Sequence, residues 1–209
     1  MIKLIVFDFD GTLADSKKTL LSIVSRNLKT KKYKINKEYE RKFGDKPLKK
    51  GFEDIGISKE EISSMVKKIQ EDFIKESRRI RIVNNIEKLR EIKIDKIIIS
   101  NNIKDYIKGA LKNKARIFNE IHGWPEFKSR KDEEFRKILK KRDISPKDVL
   151  YVGDRAIDAI VARKAGCYSV VISNKISWSS KKDILNVKPD FVISDLKELR
   201  DVVDKLNFK

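Results

Sequence analysis

The stretch from Ile5 to Asp15, IVFDFDGTLAD, constrains this chain more than any other. Its lead-in, Ile5-Val6-Phe7, is β-branched and aromatic, which suits a buried strand of a parallel sheet. That strand would end on two carboxylates, Asp8 and Asp10, spaced i and i+2, and Gly11 then allows a sharp turn. Open α/β sheets bind ligands outside the carboxyl ends of their strands. Two acids there are costly for a core and useful for chemistry. One can attack an electrophile, the other can move protons, and a cation can hold the pair together. Capping the next helix would need one such residue, not two.

Downstream, Ser16 to about Arg81 shows helical periodicity, many Lys and Glu, and no convincing strand. Leu20, Leu21, Ile23, Val24 and Leu28 form one apolar stripe. Breaks at Gly44–Pro47 and Gly56–Ser58 follow, and Ser58-Lys59-Glu60-Glu61 reads as a capping box opening a helix with Ile62, Met65, Val66, Ile69 and Phe73. From Ile82 helix and strand alternate. The expected elements are a helix over Asn84–Ile92, a strand over Asp95–Ile99 ending in Ser100-Asn101-Asn102, and a helix from about Lys104. A strand over Ala115–Ile121, a loop over His122–Pro125 and an amphipathic helix over Asp132–Lys141 come next. Then come a strand Val149–Val152 ending in Gly153-Asp154, a helix Ala156–Ala165 stopped by Gly166, strands Ser169–Ile172 and Phe191–Ile193, and a last helix Leu196–Leu206. The expected fold is α/β, a Rossmann-like doubly wound parallel sheet core (1–15 and 82–209) with an inserted all-helical cap (16–81).

A second acidic pair, Asp154 and Asp158 in VGDRAID, sits at a strand end, four residues apart and so on one face of a helix. Such carboxylates suit a hard, oxygen-preferring ion such as Mg²⁺, and Asp8, Asp154 and the Asp10 carbonyl would complete its site. Ser100, at another strand end, can donate to a phosphoryl oxygen. Lys131 directly precedes the helix Asp132–Lys141, and Lys128 lies three residues earlier.

Together these pieces, in this order, resemble the four motifs of the haloacid dehalogenase superfamily. Asp8-Phe9-Asp10-Gly11-Thr12 is similar to the first, Ser100-Asn101 to the second, Lys131 or Lys128 to the third, and Gly153-Asp154 with Asp158 to the fourth. The helical insert resembles the C1 cap of the phosphoglycolate-phosphatase-like subfamily, as does its Phe43–Leu48 segment. The resemblance spans essentially the whole chain. It implies a Mg²⁺-dependent phosphatase in which Asp8 attacks phosphorus to form an aspartyl-phosphate. Asp10 would act as acid and then base, with Ser100 and Lys131 stabilising the phosphoryl oxygens. Asn101, Gly11 and Thr12 would bind the substrate phosphate, and Asp8, Asp10, Asp154 and Asp158 would hold the metal. Two positions depart from the family pattern: neither lysine is followed by proline, and Ile82-Val83-Asn84-Asn85 stands where Pro-Gly is frequent. Lys131 is favoured because it abuts the helix leading to the last motif. Asp10 argues against dehalogenation, because dehalogenases of the family lack an acid there. A phosphomutase stays open as an alternative.

Composition narrows the partners. The net charge of +18 suggests a nucleic-acid partner, attraction of anionic substrates into a basic field, or a lysine- and isoleucine-rich compositional bias. The lysines are spread along the chain with few aromatics between them, so a small phosphorylated substrate is expected and nucleic acid is the alternative. The expected assembly is a monomer or homodimer. One cysteine, Cys167, excludes an internal disulfide and suits a reducing cytoplasm. No apolar run approaches the roughly 18 residues of a membrane span, and the short N-terminal apolar segment ends in acids, unlike a signal peptide. His122, the sole histidine, reads as a loop residue, and Trp178 as a surface contact.

Overall fold

The structure, a computed structural model, describes residues 1–30, 33, 48–124 and 131–208. Strand β1 (Leu4–Phe7) is buried along its whole length. It pairs in parallel with β4 (Asp95–Ile103) on one side and β6 (Val149–Gly153) on the other, with Phe7 opposite Ile98 and Val152. Outer strands β5 (Glu120–Trp124), β7 (Tyr168–Ile172) and β8 (Phe191–Ile193) complete a six-stranded parallel sheet in the order β5-β4-β1-β6-β7-β8. The order reverses direction at β1, which makes the carboxyl end of β1 a topological switch point.

Alternation along the strands divides the core in two. On one face Leu4, Val6, Ile97, Ile99, Val149 and Tyr151 pack on Phe135 and Leu139 of α5 (Lys131–Lys141) and Ala162 of α6 (Ala156–Ala165). On the other face Ile5, Phe7, Ile98, Leu150 and Val152 belong to a cluster that runs without a break into the helical insert. A two-stranded antiparallel ribbon joins the insert to the sheet: β2 (Ala14–Asp15) pairs with β3 (Arg81–Ile82). Between these strands lie α1 (Lys17–Thr30), α2 (Leu48–Asp54) and α3 (Lys59–Glu76). In α3 the buried residues are Ile62, Met65, Ile69 and Phe73, a single helical stripe, and Ser58 Oγ caps the first turn by accepting from the Glu61 amide. Leu20, Ile23, Val24 and Leu28 form the facing stripe of α1, and Asn27 Nδ2 donates to Asp72 Oδ2 of α3 at 2.9 Å.

Several elements differ from the sequence expectation. Residues 84–91 form a 3₁₀ helix rather than an α-helix. The segment expected as a strand over Ala115–Ile121 is a 3₁₀ turn over Lys112–Ile117, followed by β5 from Glu120. Ile117, Phe118 and Ile121 are all buried, yet only Ile121 lies within the strand, so apolar content there marked packing and not where the strand begins. His122 therefore lies in edge strand β5, where Nε2 meets Glu120 Oε2 at 2.6 Å. β4 continues through the expected strand end to Ile103, and α4 (Lys104–Leu111) follows without a gap. The final stretch begins with a 3₁₀ turn at Leu196–Glu198 and becomes α8 (Leu199–Asn207) after α7 (Lys181–Asn186). Gly166 ends α6 in the left-handed conformation, φ 79°, as its position suggested. Phe43–Pro47, Lys128 and Pro125 lie outside the described residues. No helix among the described residues is long and apolar enough to cross a membrane.

Candidate active site

The acids meet at the carboxyl edge of the sheet because adjacent strands end there. Asp8 follows β1, and its amide donates to the Val152 carbonyl of β6 at 2.8 Å, which fixes it against the end of that strand. Asp154 follows β6, and Asp158 stands in the first turn of α6. One carboxylate oxygen from each of Asp8, Asp154 and Asp158 lies within 4.8 Å of the others, and all three residues are buried. The sequence expectation put Asp154 and Asp158 on one helical face. In the structure α6 begins only at Ala156, so the strand-to-helix turn brings them together, and Asp158 Oδ2 accepts the Arg155 amide at 3.0 Å. A side chain at Gly153 would overlap the Asp158 carboxylate, so the glycine makes that approach feasible.

Lys131, the first residue of α5, enters this cluster. Its Nζ donates to Asp8 Oδ1 at 2.7 Å and lies 3.8 Å from Asp158 Oδ1. Burial disfavours the ammonium, but Asp8, Tyr151 and Asp158 outweigh it, and the lysine pKa stands well above its ordinary value. Asp154 and Asp158 shift upward. Burial, then Asp158 and Asp8, raises Asp154 well above the usual range. Burial and the charge of Asp8 raise Asp158 to about 6. Several buried acids thus share one buried lysine, and the surplus negative charge is the condition that a bound cation relieves.

Asp10 is held separately. Its Oδ1 accepts from the Tyr106 hydroxyl at 3.0 Å and its Oδ2 from Asn102 Nδ2 at 3.1 Å. Burial is the main cause of its raised pKa, about 6, with the charge of Asp8 acting in the same direction and the hydrogen bonds from Asn102 and Tyr106 opposing it. Ser100 is buried within β4, three residues before the strand ends, where its Oγ accepts the Asn102 amide at 3.1 Å, and Asn101 lies half-buried beside it.

Thr12 and Gly11, expected at the substrate phosphate, have other partners here. Thr12 is 1% exposed and its hydroxyl donates to Asp154 Oδ1 at 3.1 Å. Gly11 turns at φ 84°, and a side chain there would run into the Asp154 carboxylate and the Trp178 ring. Both residues shape the surroundings of Asp154. Trp178, expected as a surface contact, is instead buried, and its amide donates to Asp154 Oδ2 at 2.6 Å. Its ring meets Arg155 at 5.3 Å and Lys17 Nζ at 5.7 Å, centroid distances suited to cation–π contact.

Tyr106, Asn102 and Trp178 are the site residues that sequence reasoning missed. Trp178 left one usable signal, since the loop after β7 must emerge at the same sheet edge as the acids. Tyr106 left none, because an aromatic in the apolar stripe of a helix reads as core. Cys167 takes no part: burial pushes its thiol up to about 12.

The profile of the haloacid dehalogenase-like hydrolase family matches residues 5–172. Among curated relatives, a phosphoglycolate phosphatase of Vibrio cholerae is 24% identical over 221 aligned positions, covering 97% of each chain. The pyrophosphatase PpaX of Oceanobacillus iheyensis is 23% identical over 213, again covering 97% of each. Among solved structures, a haloacid dehalogenase-like hydrolase from Bacteroides fragilis superposes with a TM-score of 0.83 at 24% identity, covering 95% of this chain and all of that one. A protein of the same family from Streptococcus pneumoniae gives 0.81 at 22%, covering 97% and 98%.

Proposed function

The chain belongs to the haloacid dehalogenase-like hydrolases, and from that premise we propose that it is a Mg²⁺-dependent phosphatase of a small phosphorylated metabolite, acting through an aspartyl-phosphate. The observation that carries this reading is the buried pairing of Lys131 with Asp8 beside Asp154 and Asp158. It joins a carboxylate nucleophile to a fixed cation at the switch point of the sheet. Asp10, two residues on, is the proton carrier. Its raised pKa lets it hold a proton for donation and release it afterwards near neutral pH.

In the first step an Asp8 oxygen forms a bond to phosphorus as the ester P–O bond breaks, and Asp10 gives its proton to the departing alkoxide. In the second, Asp10 takes a proton from water as the water oxygen attacks phosphorus. Phosphate leaves and the Asp8 carboxylate is restored. Lys131 neutralises Asp8 and, with the Ser100 hydroxyl, stabilises the equatorial oxygens. The residues fit Mg²⁺: Asp8, Asp154 and the Asp10 carbonyl would hold it with hard oxygen donors, and Asp158 would steady Lys131 and the turn. When bound, the ion would offset the repulsion between anionic nucleophile and anionic substrate. The helical insert joined by β2 and β3 is proposed to act as a cap over 16–81 that shields the chemistry from water and selects the substrate.

The test is phosphate release from a panel with and without Mg²⁺: phosphoglycolate, pyrophosphate, sugar phosphates, nucleoside monophosphates and 5′-phosphorylated DNA. Rapid turnover of one small metabolite supports the reading. Preference for the DNA ends would shift it to nucleic-acid processing, and intramolecular transfer on a sugar phosphate to mutase chemistry. No release from any of them would overturn it.

Metal binding should also show in stability. Asp10 and Asp158 hold protons more tightly folded, near pH 6, than unfolded, so the metal-free protein loses stability as pH rises from about 4 through about 6. An acid moved that far represents about 3 kcal/mol. Mg²⁺ would compete with the proton of Asp154, the metal ligand that burial, Asp158 and Asp8 raise well above the usual carboxylate range, so millimolar Mg²⁺ is expected to raise Tm by about 5 °C or more at pH 7.5, and by less than half of that at pH 5. Equal shifts at both pH values would count against a carboxylate metal site.

A further inference from the structure

Tyr106 is fully buried on α4, with its hydroxyl on the acid–base carboxylate and its ring between two parts of the molecule. On one side is Phe9, between Asp8 and Asp10, at 5.8 Å and 88°. On the other is Phe73 of α3, in the helical insert, at 6.0 Å and 47°. One turn further along α4, Gly109 backs onto Ser77, just past the end of α3, where a side chain would overlap Ser77 Oγ. Tyr106 and Gly109 are spaced i and i+3, and Phe73 and Ser77 i and i+4, so one face of α4 meets the end of α3 at two successive points. The Ser77 hydroxyl is itself anchored on the Ile74 carbonyl at 2.6 Å.

The Asp10 carboxyl is gripped at both oxygens. Asn102 accepts the Ile103 amide through Oδ1 at 2.9 Å, which fixes Nδ2 as the group facing Asp10. That amide can only donate, whereas a phenol donates or accepts, so the tyrosine hydroxyl can stay with Asp10 in both protonation states. A carboxyl held at one oxygen can swing; held at both, it cannot.

Resting on the phosphatase reading above, we propose that Tyr106 is a positioning residue that aims the Asp10 carboxyl for proton transfer, and that Phe73 ties this aim to the seating of the helical insert. Tyr106 acts through Asp10 and touches no reacting atom. The proposal makes a chemical distinction that packing alone does not. An alkoxide leaving group needs the proton of Asp10, whereas nitrophenolate leaves without one. Misaiming the acid therefore slows phosphoryl transfer from an alkyl phosphate and spares transfer from 4-nitrophenyl phosphate.

The experiment compares wild type, Tyr106→Phe and Phe73→Leu in single turnover with enzyme in excess and Mg²⁺ present, following leaving-group release, which reports the transfer step alone. The probes are 4-nitrophenyl phosphate and the alkyl phosphate best turned over in the panel, beginning with phosphoglycolate. Tyr106→Phe keeps the ring and its packing. Its transfer rate on the alkyl phosphate is expected to fall about 10–100-fold, with half-saturation within about threefold of wild type, while the nitrophenyl rate changes by less than about threefold. Phe73→Leu should give the same leaving-group signature at lower amplitude. Equal losses on both probes, or none, would overturn the role of Tyr106. A Phe73→Leu effect confined to half-saturation would sever the insert from Asp10. A wild type inactive on both probes would instead overturn the phosphatase reading and this assignment with it.

Discussion

Asp8→Asn is expected to leave a folded protein whose phosphate release is lower by about 10⁴-fold or more, with the loss in kcat. The substitution keeps shape and one oxygen but removes the charge, and a neutral amide oxygen is a poor nucleophile towards phosphorus. Folding should survive because two opposing changes offset each other. Lys131 loses its partner at 2.7 Å but keeps Asp158 at 3.8 Å. Asp154, Asp158 and Asp10 each lose a repulsive neighbour, since Asp8 is among the charges that raise all three. Parallel circular dichroism and phosphate-release assays check both halves. Retained turnover would remove Asp8 from the chemistry, and an unfolded variant would show that the Lys131 ion pair dominates the balance.

Lys131→Met carries the second large effect, and here stability and activity fall together. Both side chains of the Lys131–Asp8 pair are largely buried, 13% and 12% exposed, so truncation leaves Asp8 without its ion-pair partner and Arg155 as the remaining fixed cation beside Asp154 and Asp158. Removing one partner of such a pair costs about 3 kcal/mol or more. Loss of a charge that stabilises the phosphoryl oxygens lowers kcat by about 10²–10³-fold. Because a metal ion would then be the main compensating charge, added Mg²⁺ should raise Tm more in the variant than in wild type. Urea titrations with and without Mg²⁺ measure this directly. A variant as stable as wild type in the absence of metal would contradict the electrostatic account of the site.

Much of the architecture was legible because parallel strands announce their own ends. The apolar run Ile5–Phe7 stops at Asp8 and the run Val149–Val152 at Gly153-Asp154, and the pairing of β1 with β6 makes those ends neighbours. Lys131 was placed by its position before an amphipathic helix, and the structure puts it on Asp8. What stayed hidden depends on tertiary approach. Thr12 turns to Asp154 and Trp178 folds back over the same carboxylate, contacts that no local spacing encodes. Tyr106 carries two roles in one side chain, and its ring explained its place so well that the hydroxyl drew no notice. The 3₁₀ segments at 84–91 and 112–117 leave little signal in the sequence, because the first buries Ile86 and Leu89 at the i, i+3 spacing that an α-helix also uses and the second buries Ile117 alone.

The proposed mechanism turns on transfer of the phosphoryl group to Asp8. Asp10→Asn with 4-nitrophenyl phosphate and Mg²⁺ tests it most directly, because this leaving group departs unaided while the release step lacks its base. A burst of one equivalent of nitrophenolate per enzyme is expected, with a hydroxylamine-labile phosphoryl adduct on the peptide that carries Asp8. A burst with the adduct elsewhere, or steady hydrolysis with no adduct at all, would contradict it.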